Sequence, residues 1–323
     1  MSDQVPNFSN ESIARILMEL YGLEGEISSL VSFEDQNALI KTSGETYVFK
    51  IANQKWSREF LQMQTNVLGY LKERAPGLVF PDIVLTSQGQ SITYVDGFGI
   101  RLLTYLEGDL YTHTPKSPEL YQDIGRFMGQ FSAAMVNYSA EVAEGSDELW
   151  KLDNVMACKD YLSEVIDADA KDRIGRLFEV YEEKILPKLP SLRKAVIHGD
   201  ANEQNILVAS DNPKKVSGLI DFGEMQWASQ VNDLAITLAY SLLGEDDIAM
   251  ASEKIIEGYD NEFKLQQEER EILYYLVAMR LVTNITMTSY AARLFPENVY
   301  ILIAQKPARA LLKKLENEKY ILA

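Results

Sequence analysis

The stretch Ala195-Val196-Ile197-His198-Gly199-Asp200-Ala201-Asn202-Glu203-Gln204-Asn205-Ile206-Leu207-Val208, followed by Gly218-Leu219-Ile220-Asp221-Phe222-Gly223-Glu224, decides how this chain is read. It places an Asp, an Asn five residues later and a second Asp sixteen beyond that, each at the edge of an apolar run. Residues 195–197 and 206–208 are branched apolar runs of strand type. Ser210-Asp211-Asn212-Pro213 is turn material. Residues 216–220 return as a strand and deliver Asp221 at its end. A loop and a hairpin are therefore expected to bring Asp200, Asn205 and Asp221 to one rim. Any one of them alone is equally an ordinary turn residue; the whole pattern, His-Gly-Asp-x4-Asn and then Ile-Asp-Phe-Gly at hairpin distance, is far harder to meet by chance. Phosphoryl transfer from a nucleotide needs three such groups: a carboxylate that orients and deprotonates the attacking hydroxyl, and a carboxamide and second carboxylate that hold magnesium on the phosphates. Both kinds of side chain supply the oxygen ligands that magnesium takes.

On the wording HGDANEQNILV (198–208), GLIDFGEM (218–225) and NDLAITLAY (232–240), the chain resembles the aminoglycoside phosphotransferase and choline kinase superfamily of kinase-like enzymes, most closely its hydroxylysine kinase branch. The resemblance runs over about residues 30–281. It implies an α+β, protein-kinase-like, two-lobed fold: a small antiparallel-sheet N-lobe in residues 1–106 and a mainly helical C-lobe in residues 107–323, with ATP in the crevice between them. It also implies Asp200 as the general base, Asn205 and Asp221 on the metal, and Lys50 on the α- and β-phosphates. Lys50 ends the alternating run Tyr47-Val48-Phe49-Lys50-Ile51; by itself it could equally hold its head in water. The family glutamate that pairs with this lysine falls at Gln64, a neutral amide that can hydrogen-bond an ammonium but not neutralise it. Glu59 is the alternative if the helix register differs. Phe33 and Asn37 flank a phosphate-covering loop that contains no Gly, and Asn37 either contacts nucleotide or stabilises a hairpin. Thr104 to Leu106 would offer backbone groups to the adenine edge, with Leu207 and Ile220 under the base, although apolar strand residues are more often plain core.

The acceptor side is less determined. Glu203, Glu224, Glu107 and Asp109 lie near the motif ends and could meet an ammonium, or be solvated surface. Arg280 is an unusual charge in the apolar run 276–285, with Asn284 one turn later. It could bind an acceptor carboxylate bidentately or form a buried ion pair with a structural Asp or Glu. Asp233 either braces the catalytic loop or caps a helix. Only a short link joins Gly223 to the helix expected at Asn232, with no Ala-Pro-Glu segment, and Gly199 stands where protein kinases have Arg. A small acceptor is favoured over a polypeptide. The expectation is a magnesium- and ATP-dependent kinase of an amino alcohol or hydroxylated amino acid such as hydroxylysine. An aminoglycoside, choline or homoserine kinase is the alternative, and a nucleotide-binding pseudokinase regulator, suggested by Gln64, is the rival of another class.

Composition sets the outer limits. The 323 residues can bury a sizeable core, and 46% apolar with 24% charged residues is ordinary for a globular protein. A net charge of −17 argues against nucleic-acid or anionic-membrane partners. One cysteine, Cys158, and two histidines, His113 and His198, leave no intrachain disulfide and no Cys/His zinc site. No Walker-type Gly-x4-Gly-Lys-Ser/Thr occurs. The polar first ten residues and the lack of any run of spanning length point to a cytoplasmic enzyme, monomer or homodimer. Hydrophobic spacing predicts helices over about 13–21, 56–72, 121–139, 170–186, 232–243, 248–263 and 268–288, and strands over 27–33, 37–42, 47–51, 79–85, 90–95 and 99–105.

Overall fold

The structure, a computed structural model, describes residues 5–32, 35–139, 143, 149–295, 297 and 305–317. The chain forms two compact units: Met1–Glu107 with Tyr138–Gly145 and Gly218–Ile220, and Gly108–Asn137 with Ser146–Ser217 and Asp221–Ala323.

The first unit opens with helix α1 (Asn10–Tyr21). Ser9 accepts from the Ser12 amide at its start, and Gly22, in the left-handed conformation, ends it. Strands β1 (Glu26–Leu30), β2 (Gln36–Lys41), β3 (Thr46–Ile51), β4 (Ile83–Val84), β5 (Thr93–Val95) and β6 (Phe98–Thr104) make a six-stranded sheet in the order β1-β2-β3-β6-β4, with β5 also on β6. The described pairings are antiparallel. Ile40, Phe49, Ile51, Ile100 and Leu102 meet Ile13, Ile16 and Leu17 of α1 in one buried cluster. Successive strand residues face opposite sides, so Lys50, between Phe49 and Ile51, lies on the other face. In register Asn37 stands opposite Lys50 and Lys50 opposite Arg101, which gives a row of three polar side chains across β2, β3 and β6. Helix α2 (Arg58–Arg74), capped by Ser57, buries Gln64 among Phe60, Met63, Val67 and Leu68 and leaves Glu59 exposed. The strand expected over 79–85 contracts to two residues, because Pro81 has no N–H for a ladder.

In the second unit, β7 (Asp109–Leu110) precedes helices α3 (Pro118–Met135) and α4 (Ala168–Val180), with a 3-10 segment over Leu152–Glu164 between them. Strands β8 (Lys194–Ile197), β9 (Ile206–Ala209), β10 (Asn212–Leu219, whose last residues, Gly218 and Leu219, count with the first unit) and β11 (Gln226–Ser229) follow, then helices α5 (Val231–Ser241), α6 (Ile248–Glu262), α7 (Gln267–Leu294) and α8 (Gln305–Asn317). Helix α6 lies so close on α3 that a Cβ at Gly125 would overlap the Ile255 carbonyl. The turn after β9 is only Ser210-Asp211, and Pro213 falls inside β10, which tolerates it as the edge of the β10-β9-β7 sheet. The link read over 224–230 contains a strand that the sequence reading missed: β11 pairs with β8, Gln226 opposite Ile197. Among the described residues no helix is long and apolar enough to cross a membrane.

Candidate active site

Strand β8 ends at a turn that only glycine can make. Gly199 has φ +79, and a Cβ there would sit inside the Glu224 carbonyl oxygen. The amides of His198 and Gly199, which the turn frees from the ladder, donate to the two carboxylate oxygens of Asp233, each at 2.9 Å. Asp233 lies on the first turn of α5, fully buried, and braces the loop; it does not cap the helix, whose N-cap residue, Gln230, makes no side-chain capping bond. Burial pushes its carboxyl up to about 6, against the pull of the two amide bonds. The His198 ring is fully buried, with Phe222 at 4.9 Å and Phe131 at 6.5 Å in edge-on contact. Its Nδ1 accepts the Asp200 amide at 3.2 Å.

The Asp200 carboxylate is held from three directions. Oδ2 accepts from Asn202 Nδ2 at 2.9 Å and Asn205 Nδ2 at 3.0 Å, and Oδ1 accepts from Arg280 Nη2 at 2.9 Å. An ionised carboxylate has about four acceptor positions, so these three bonds leave one open, on Oδ1. The side chain keeps 23% of its surface accessible. Burial is the main influence on the carboxyl and raises it to about 6; Arg280 opposes that rise and nearby Asp221 adds to it. The arrangement suits a base that must stay ionised and present one lone pair.

Asn205 spends its amide nitrogen on Asp200, on both the backbone oxygen (2.8 Å) and Oδ2, which turns its own carbonyl oxygen outward. Asp221, two residues past β10, takes the left-handed conformation, φ 60 and ψ 75, a strained setting for a residue other than glycine. Among the described residues no cluster of three His, Cys, Asp or Glu side chains could hold a metal by itself. One carboxamide oxygen and one carboxylate do fit magnesium, which retains few protein ligands and completes its shell with phosphate and water oxygens.

Two further acids lie in this unit. Glu203 has a buried Oε2 with no hydrogen-bond partner among the described residues, and burial raises its carboxyl, with Asp200 adding to the rise. Glu224 contributes its carbonyl to the wall against Gly199. Of the two alternatives for Arg280, the structure shows a buried ion pair, and the partner is Asp200 rather than a structural acid. Leu207 is buried in β9.

The remaining candidates belong to the first unit. Lys50 is buried on β3, and the Asn37 carbonyl oxygen in the same row has no hydrogen-bond partner among the described residues. Gln64 Oε1 accepts from Arg101 Nη1 at 2.5 Å. Arg101, 4% exposed, is a buried cation that sequence reasoning missed, although its place in the alternation of β6 was a usable signal. The Thr104 amide donates to the Asp82 carbonyl and the Tyr105 amide to that of Thr46, so both are committed to the sheet. Leu106 and Ile220 are half-buried just beyond their strands. Phe33 lies outside the described residues.

Comparison with known families matches residues 26–271 to the phosphotransferase enzyme family named for the aminoglycoside phosphotransferases. The chain belongs to this family. It is an enzyme, a small-molecule kinase that phosphorylates a hydroxyl group, as the family match and its curated relatives together show. One such relative, the hydroxylysine kinase of Danio rerio, is 29% identical over 96% of this chain and 92% of its own length. Among solved structures, a microcompartment-associated aminopropanol kinase superposes with a TM-score of 0.77 over 97% of this chain and all of its own, at 14% identity. An amicoumacin kinase solved with AMP-PNP, Ca2+ and its substrate gives 0.71 over 95% and 94%, also at 14%. The fold of this family member is thus the kinase-like α+β fold.

Proposed function

We propose that the enzyme transfers the γ-phosphoryl group of ATP, with magnesium, to the hydroxyl of a small amine-bearing compound, a hydroxylated amino acid of the hydroxylysine type. The observation that carries this reading is the Asp200 carboxylate, fixed by three donors yet accessible, with one acceptor position open. That lone pair takes the proton of the acceptor hydroxyl as its oxygen attacks the γ-phosphorus in line. The phosphoryl group passes to the acceptor and ADP leaves. Lys50 steadies the α- and β-phosphates. The carbonyl oxygen of Asn205 and the carboxylate of Asp221 would hold magnesium, whose charge offsets that developing on the phosphoryl oxygens. The resemblance to hydroxylysine kinases, over nearly their whole length, favours that acceptor class, and the buried, unpartnered Glu203 oxygen suits an ammonium. Gln64 and Asn37 belong to the nucleotide side, with Leu207 and Ile220 under the base and the backbone near Leu106 at its edge. The residue 106/107 boundary separates nucleotide-binding and acceptor-binding parts of a cytoplasmic enzyme.

The test is ADP release over a panel of 5-hydroxylysine, homoserine, choline, 1-amino-2-propanol and kanamycin, with ATP or GTP and with magnesium present or chelated. The expected result is acceptor-dependent turnover, fastest with 5-hydroxylysine and ATP and lost on chelation. Turnover confined to choline or kanamycin would reject the acceptor class while keeping the kinase.

A further inference from the structure

We propose that Arg280 is the positioning residue of the catalytic base: its guanidinium, fixed from α7, clamps Asp200 Oδ1 so that the one open acceptor position faces the incoming hydroxyl. This rests on the reading of Asp200 as the base.

The loop from His198 to Asn205 contains no Lys or Arg. The cation that meets its carboxylate comes instead from 80 residues further along the chain. Arg280 is itself held on several sides. It is 3% exposed, Nη1 donates to the Trp150 carbonyl at 3.1 Å, and the rings of Trp150 and Tyr240 lie 5.4 and 5.3 Å from the guanidinium carbon. Cation–π contact of this kind is strongest where water is excluded. The fork therefore cannot swing away from Asp200 without losing the Trp150 bond and both aromatic contacts.

Two bonds from the Asn202 and Asn205 amides fix Oδ2, but two donors on one oxygen still leave the carboxylate plane free to tilt about it. The third bond, on Oδ1, defines that plane. A misplacement of about 1 Å at a reacting group can cost on the order of 100-fold in rate, so the third donor bears directly on turnover. Lysine would keep the charge but not a planar fork able to reach Trp150 and Asp200 at once. Nη1 and Nη2 are already engaged by the Trp150 carbonyl and Asp200, and Nε, which has no hydrogen-bond partner among the described residues, is buried, so neither edge of the fork is open to an acceptor carboxylate. The side chain should therefore act on kcat rather than on acceptor binding.

The experiment compares Arg280→Gln, Arg280→Lys, Asp200→Asn and the double variant Asp200→Asn/Arg280→Gln, using ATP, magnesium and the fastest acceptor of the panel. Arg280→Gln should lower kcat about 100-fold, with acceptor KM changed less than about twofold, the pattern of an interaction that matters only in the transition state. Arg280→Lys should recover about a tenth of wild-type kcat, because it keeps the charge and loses the planar fork. The double variant should be no slower than Asp200→Asn. Removing Arg280 leaves a half-buried carboxylate without its counter-ion, so thermal melts accompany each variant; if Arg280→Gln does not fold, Arg280→Lys and the double variant, which lacks the lone charge, decide. Unchanged kcat in the folded variants, or a raised acceptor KM at constant kcat, overturns the positioning role, the latter in favour of a direct acceptor clamp. Normal turnover in Asp200→Asn overturns the base assignment itself, a different result.

Discussion

In the amino-terminal sheet, Lys50 and Arg101 stand opposite each other on regular strands, and their direction is set by the strand period. In the second unit, Asp200, Asp221 and Asp233 sit on a tight turn, a left-handed strand end and a helix start. There, individual hydrogen bonds set the direction of the Asp200 and Asp233 carboxylates. Like charges directly opposite each other on strands repel, and the first arrangement nevertheless brings two cations together on one buried face. The second holds two of its carboxylates by giving each its own donors: two carboxamides and a guanidinium for Asp200, two amides for Asp233. A repeating ladder thus carries the groups that need only be placed, and bespoke bonding carries the group that must react.

The comparison breaks most sharply at Asp200. Asp200→Asn keeps the shape and removes the base, and should lower kcat roughly 1,000-fold, within the range for general-base catalysis. An ADP-release assay with magnesium and ATP reads it, and bound nucleotide seen by calorimetry should change little. Next comes Asp233. In Asp233→Asn an NH2 group faces one of two amide donors, and the loss of a charged acceptor should cost about 2–3 kcal/mol of stability, measured by urea unfolding. The sign of its pH effect follows from a carboxyl raised from 3.8 to about 6 in the fold. The native state binds that proton more tightly than the unfolded chain, so this group's contribution is full below its unfolded value and falls as pH rises through 6. The variant should lose that slope. Asn202→Ala, which removes one of the two Oδ2 donors and leaves Asn205, should lower kcat about tenfold at nearly constant stability, the rate equivalent of losing about one hydrogen bond.

What could be read from the chain follows the same division. Alternation in 47–51 and 99–105 places Lys50 and Arg101 on the face away from Phe49, Ile51, Ile100 and Leu102, because a strand has only two sides. The helix carrying Gln64 was legible from its apolar spacing, and its burial pattern chooses Gln64 over Glu59 as the inward residue. The motif His-Gly-Asp-x4-Asn was legible as a motif. The partners of its carboxylate were only partly so: Asn202 lies two residues away, but Arg280 lies 80 residues along, on a helix whose register against the loop is a tertiary fact. Strand β11 was missed for a similar reason. Gln226-Trp227-Ala228-Ser229 is too short and too mixed to signal a strand, and it forms one because β8 offers a free ladder. The Arg280 charge in an apolar run was visible, but not what it was for.

The smallest expected effect tests the sheet side of the contrast. Gln64→Glu puts a carboxylate where an amide oxygen now accepts from Arg101. A charge-assisted bond is stronger than a neutral one, and the new negative charge would sit beside the Asn37, Lys50 and Arg101 row. If that row serves the nucleotide phosphates, the glutamate competes with them for the same cations. The KM for ATP should rise about threefold, with kcat and acceptor KM unchanged, since the loss falls on ground-state binding. Glu59→Gln, on the exposed side of the same helix, is the control and should leave KM for ATP as it is. A KM for ATP that stays constant or falls in Gln64→Glu would mean that this row of the sheet does not meet the nucleotide phosphates, and that its cations serve the sheet alone.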